Sequence, residues 1–89
     1  MTFDNLDFKP RENGIPGVQA ITFFENGYGA SVIKGYGTYG NDSGLYELAV
    51  LKITEDGWDL CYDSGITQDV EGYLSPEAVT IYLRRIKAL

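Results

Sequence analysis

Val18-Gln19-Ala20-Ile21-Thr22-Phe23-Phe24-Glu25-Asn26-Gly27-Tyr28-Gly29-Ala30-Ser31-Val32-Ile33-Lys34 is the stretch that decides the fold class of this 89-residue chain. Residues 18–25 are rich in β-branched and aromatic side chains and predict a strand. Asn26-Gly27 then gives a strong hairpin signal, because both residues tolerate a positive φ. Residues 28–34 return as a second strand, in which Gly29 marks a bulge or a close backbone approach.

Downstream the same logic repeats. Leu45-Tyr46-Glu47-Leu48-Ala49-Val50-Leu51-Lys52-Ile53 is the most apolar run and reads as a central strand. Glu55-Asp56-Gly57 turns the chain into Trp58-Asp59-Leu60-Cys61-Tyr62-Asp63. That run alternates, with Trp58, Leu60 and Tyr62 on one side and Asp59, Cys61 and Asp63 on the other. The expectation is that the first set faces the core and the second makes a wet, acidic sheet face. Residues 64–74 read as a connection that admits a short strand or turn. Ser75-Pro76-Glu77 starts a helix: serine caps, proline suits the first position, and glutamate favours the positive end of the dipole. Val79, Tyr82, Leu83, Ile86 and Leu89 then form one stripe, and Arg84, Arg85 and Lys87 suit the negative end. Residues 1–17, with two prolines and two glycines, are the least regular part. Either Phe3, Leu6 and Phe8 pin this segment to the core, or it is a mobile tail.

The expected fold is therefore α+β. An antiparallel sheet of about four strands, two hairpins over 18–63, is covered on one face by a C-terminal helix over 75–89. A single domain spans 1–89, with 1–17 irregular.

Composition narrows the function. Hydrophobic residues make up 44% and charged residues 22%, which fits a folded globular chain rather than a disordered one. Met1 to Asp7 is acidic and lacks an apolar run, so no secretory leader is expected. No stretch approaches the apolar length that spans a bilayer. One cysteine cannot form an internal disulfide, and a reducing cytoplasm is the expected location. The net charge is −6 and the pI about 4.3. Between Lys52 and Arg84 there is no cation, while Glu55, Asp56, Asp59, Asp63, Asp69, Glu71 and Glu77 all fall there. Nucleic acid and anionic membrane would be repelled, and a basic partner surface attracted.

Gly35-Tyr36-Gly37-Thr38-Tyr39-Gly40-Asn41-Asp42-Ser43-Gly44 is the segment most like a site. Its first six residues spell G-x-G-x-x-G, but a dinucleotide motif needs a helix next, and a strand follows. Its tyrosines, small polar groups and freely bending backbone instead match a protein-contact surface or a plain hairpin connection. Tyr36, Tyr39, Asn41 and Asp42, with Asp59 and Asp63 of the acidic strand, are the candidate partner-binding residues. Asp59 and Asp63 would stand about 13 Å apart on one strand face, more sparsely than DNA phosphates. The acids therefore read as a partner surface or a solubilising one.

For catalysis the inventory is thin, and no enzyme is expected. Histidine is absent. Cys61 has acidic neighbours that raise its pKa, so a quiet, half-buried thiol is expected. No metal-binding spacing is present; Asn41, Asp42 and Ser43 read as a turn rather than calcium ligands, and no cofactor is expected.

Phe24-Glu25-Asn26-Gly27-Tyr28-Gly29-Ala30-Ser31-Val32 resembles a segment of small uncharacterised proteins encoded by bacteriophages and prophages. So do Gly44-Leu45-Tyr46-Glu47-Leu48-Ala49-Val50-Leu51 and Trp58-Asp59-Leu60-Cys61-Tyr62-Asp63. The resemblance covers most of residues 18 to 89 and brings no catalytic residues. It implies a phage accessory protein in the bacterial host cytoplasm. The expected function is a non-catalytic, acidic protein-binding module, an inhibitor of a host nuclease or defence complex in the manner of anti-CRISPR or DNA-mimic proteins. It would be a monomer or homodimer binding a host protein with a basic surface. The alternative is a small structural or assembly component of the phage particle.

Overall fold

A computed structural model describes residues 1–12, 14–66 and 70–89. These form six strands and one α-helix: β1 (Lys9–Pro10), β2 (Gly17–Phe23), β3 (Tyr28–Gly35), β4 (Tyr46–Thr54), β5 (Gly57–Leu60), β6 (Val70–Leu74) and α1 (Pro76–Lys87). Phe3–Asn5 and Asn41–Ser43 add single 3-10 turns. The strands make one antiparallel sheet in the order β1-β2-β3-β4-β5. β6 also pairs with β4, so two short strands share one edge of β4: β6 beside Tyr46–Ala49 and β5 beside Leu51–Thr54. The fold class is as expected, but the sheet is larger than four strands. β1 comes from the irregular N-terminal segment and β6 from the connection after Asp63, where short polar runs gave no alternation to read. Thr67, Gln68 and Asp69 of that connection, and with them one of the acids of the Glu55–Glu77 interval, lie outside the described residues.

The β2–β3 hairpin forms, by a route other than the two-residue Asn-Gly turn. Phe24 N–H donates to Tyr28 O (2.7 Å), and Gly27 N–H to Phe24 O (3.2 Å). Of the two turn residues only Gly27 takes a positive φ, 85°. The Asn26 side chain accepts from Tyr28 N–H within the turn (3.0 Å) and ties it to the neighbouring end of α1. Its side-chain amide donates to Ile86 O (2.9 Å), which also accepts from Leu89 N–H, and to Lys87 O (3.2 Å) and Leu89 O (3.3 Å) at and just past the end of α1.

α1 starts as its sequence requires. The Ser75 hydroxyl accepts from Ala78 N–H (3.2 Å), and Pro76 opens the helix. Val79, Leu83 and Ile86 are fully buried against Ala30 and Val32 of β3 and Leu48 and Val50 of β4. Cys61 and Leu74 close this core from the β5 and β6 sides. Leu89 of the expected stripe is exposed, since the helix ends at Lys87. The N-terminal segment is pinned rather than loose: Phe3, Leu6 and Phe8 pack on the core. Phe3 and Phe8 also meet the Tyr46 ring at 5.0 and 5.5 Å, and Phe3 N–H donates to Thr80 Oγ1 (2.9 Å).

One assignment of faces is reversed. Cys61, 5% exposed, lies under the helix, whereas Trp58, Leu60 and Tyr62 are exposed. Register explains it. Cys61 N–H bonds Val50 O, on the helix side of β4, while Leu60 pairs with Leu51 and Trp58 with Ile53, on the opposite side. The alternation was correct, but the bulkier set does not face the helix. Ala30, Val32, Leu48 and Val50 fill the space beneath α1, and Trp58 and Leu60 stand on the uncovered side of the sheet.

Candidate functional site

The Gly35–Gly44 loop joins β3 to β4 and is more ordered than its composition suggests. Thr38 Oγ1 donates to Gly35 O (2.7 Å) and accepts from Gly35 N–H (3.1 Å). Ser43 and Leu45 N–H both bond Gly40 O (3.0 and 2.9 Å), closing the turn around Asn41–Ser43. Asn41 is partly covered and Asp42 exposed. The Tyr36 backbone is anchored twice: its N–H donates to Pro16 O (3.0 Å), and its carbonyl accepts from the Arg11 guanidinium (2.7 Å). The ring is left 73% exposed, and the Tyr39 ring 61%.

The loop closes over an irregularity in β6. Tyr46 pairs with Leu74 and Leu48 with Glu71, so β6 carries one residue more than β4 at this point. Such a bulge re-aims a side chain. Within it Tyr73 takes a left-handed φ of 57°, the one positive-φ non-glycine among the described residues. Loop and bulge fit closely. Tyr73 N–H points to Tyr39 O (3.4 Å), and the Tyr39 Cβ sits where a side chain on Gly72 would go. Gly40 lies so close to the Tyr73 backbone that an added Cβ would come within 2.9 Å. Glu47, opposite the bulge, accepts from Tyr39 N–H (3.4 Å). The result is Tyr36, Tyr39 and Tyr73, the last 65% exposed, standing free at one end of the sheet. Tyr73 was missed by sequence reasoning. Its signal was Gly72 within Val70-Glu71-Gly72-Tyr73-Leu74, since glycine inside a strand marks a bulge.

Asp59 and Asp63 do not join this group. Lys52 pairs with Asp59 near the far end of β4, about 20 Å along the strand from Tyr46. Asp59 Oδ1 accepts from Leu60 N–H (2.9 Å), and Asp63 Oδ1 accepts from Cys61 Sγ (3.3 Å). Both acids are exposed along the β5 edge rather than arrayed on an open acidic face. Burial, with the Asp63 carboxylate beside it, pushes the Cys61 thiol above its ordinary value. A buried, neutral thiol of this kind is a poor nucleophile. Among the described residues no group of three or more Cys, Asp or Glu side chains comes together as a metal site. Also among these residues, no helix is long and apolar enough to cross a membrane.

The uncovered side of the sheet is a second candidate surface. Ile21 and Phe23 of β2, Ile53 of β4, and Trp58 and Leu60 of β5 are all exposed there. Phe23 lies over Gly29, where an added Cβ would meet the ring at 2.6 Å, and its ring centroid is 6.4 Å from that of Trp58. Leu51, in register between Gly29 and Leu60, is fully buried although it faces away from the helix.

Comparison with protein-family models, with curated proteins and with solved structures gives no match for this chain.

Proposed function

We propose that this protein is a non-catalytic protein-binding module whose contact surface is the tyrosine end of the sheet, with Tyr36, Tyr39 and Tyr73 as anchors and Asn41 and Asp42 as polar partners. The observation that carries this reading is the backbone of Tyr73. A left-handed tyrosine costs about 1–2 kcal/mol relative to ordinary conformations. Here that strain holds a ring in water rather than in the core, on backbone that touches the Tyr39 segment of the loop. The same backbone packs against the loop at Tyr39 and Gly40, while its ring is turned out to solvent, and strained backbone that presents a side chain in this way clusters at working surfaces. Tyrosine suits the task, because its ring offers a large contact area for two rotatable bonds.

The finer reading is a phage or prophage product that occupies a host nuclease or defence complex. It draws on the sequence resemblance and on the net charge of −6. Charge of this sign would speed encounter with a basic partner more than it would tighten the complex. The test is retention from a bacterial lysate on the immobilised protein. A host protein held by the native chain and lost with folded Tyr36→Ala/Tyr39→Ala supports the reading; equal retention by both overturns it. The second reading, a component of the phage particle, draws on the uncovered apolar sheet, and a large homo-oligomer in solution would favour it.

A further inference from the structure

We propose that the uncovered side of the sheet is the interface of a symmetric dimer, in which two copies of this chain pack sheet against sheet. This surface is separate from the tyrosine end, and the inference does not depend on the function proposed for that end. Ile21, Phe23, Ile53, Trp58 and Leu60 together expose on the order of 450 Å² on one side of the sheet, within the range of the largest apolar patch of a soluble monomer, which is often functional. A stable interface needs about 800 Å² from each partner. The five residues give roughly half of that, Gln19 and Ile33 extend the same side, and two sheets stacked about 10 Å apart is a common arrangement.

Three features select a second copy rather than a basic host protein. The centre of the face is uncharged, so it offers nothing to steer a cationic surface. Asp7, Lys9 and Glu12 lie beside Gln19 and Ile21 at the β1 edge, so two chains of charge −6 can join through the apolar centre and keep these charges at the rim. Glu47, on this side, sits at the loop end of β4 with its carboxylate accepting from Tyr39 N–H. The polar pair at the centre is partly met within one chain, since Gln19 Nε2 donates to Ser31 Oγ (2.9 Å), which lowers the number of polar groups a partner has to match. The surface is also already shaped, with Leu51 buried and the Phe23 and Trp58 rings in contact, so little side-chain freedom is lost on association. A two-fold contact of this kind closes on itself and stops at two copies.

The charge gives the dimer a signature. Added salt screens the repulsion between the two acidic chains, so it strengthens this association, whereas it would weaken binding to a basic partner. The experiment is sedimentation of the whole chain over a range of protein concentration, at about 0.05 M and about 0.5 M salt. The expected result is a species of twice the 9.9 kDa chain mass whose fraction rises with salt, and a blue shift of the single tryptophan's emission as it forms. Ile53→Lys and Trp58→Asp, each checked for native circular dichroism, are expected to sediment as monomers at both salts; Ile53→Lys guards against a folding defect at Trp58. A native chain that stays monomeric at high concentration overturns the proposal. So does a mass above two copies, a dimer weakened by salt, or a folded variant that dimerises like the native chain.

Discussion

Phe23 and Trp58 stand on strands separated by two others, yet their ring centroids are 6.4 Å apart across the uncovered side of the sheet. The gap between them is bridged because Gly29, in register with Phe23, has no side chain. The Phe23 ring occupies the space instead, and Leu51 is sealed from water beside it.

Replacing Gly29 with alanine removes that space. The new Cβ would lie 2.4 Å from Thr22 O and 2.6 Å from the Phe23 ring, and the backbone oxygen cannot swing away as a side chain can. Gly29→Ala is expected to cost about 1–3 kcal/mol, read as a lower midpoint in urea with an unchanged slope. A loss below about 0.5 kcal/mol would show that the sheet absorbs the methyl without strain.

Tyr73 separates strain from contact. Asparagine tolerates the left-handed region, so Tyr73→Asn is expected to melt close to the native chain, within about 1 kcal/mol. Valine does not, and Tyr73→Val is expected to lose about 1–2 kcal/mol more than the asparagine variant. Equal stability of the two variants in thermal melts would mean that the bulge relaxes when the ring is removed.

Asn26 ties the β2–β3 turn to the end of α1 through three carbonyls. Asn26→Ala is expected to cost about 1–2 kcal/mol, since Lys87 O and Leu89 O lose this donor and Ile86 O keeps only its backbone one. Asn26→Asp tests the direction of the bonds. Its carboxylate still accepts from Tyr28 N–H, as Asn26 Oδ1 does at 3.0 Å, but it cannot donate and is repelled by the helix C-terminus. It should be at least as destabilising as alanine; a milder effect would show that the turn contact dominates.

Cys61 gives a pH dependence with a definite sign. Its folded pKa is raised, chiefly by burial, so folding favours the protonated thiol. The stability it contributes is complete below the unfolded thiol's value of about 8.5 and is lost as pH rises through the higher folded value. Denaturation midpoints of the native chain should therefore fall more steeply above about pH 8.5 than those of Cys61→Val, which keeps every tyrosine. Native Cys61 should also react slowly with a thiol reagent at pH 8 and quickly in denaturant. Parallel pH profiles, or fast native labelling, would contradict its burial.

Much of the fold could be read from the chain because β2 to β5 and α1 follow their periods closely and Ser75-Pro76 marks the helix start. β1 and β6 were not legible: a two-residue strand containing Pro10, and a bulged one containing Gly72, interrupt the alternation that reveals strands. The sides of β5 were misjudged for a different reason. Bulk and hydrophobicity suggested that Trp58 faced the core, but the side a strand turns to a helix is set by its register with its neighbours. That register is fixed by Val50 and Cys61. At the tyrosine end, composition pointed to Tyr36 and Tyr39. It could not reveal Tyr73, which reaches them through a bulge from a strand distant in sequence.

The central claim is that the tyrosine end makes the partner contact. The most direct measurement is the Kd of a protein captured from bacterial lysate for the native chain, Tyr39→Ala and Tyr73→Asn, each with a native melting profile. Loss of an anchor ring should weaken binding by about tenfold or more in both variants, mainly through faster dissociation. Affinities within about twofold of the native chain would contradict a tyrosine contact surface and return this end of the sheet to a structural turn.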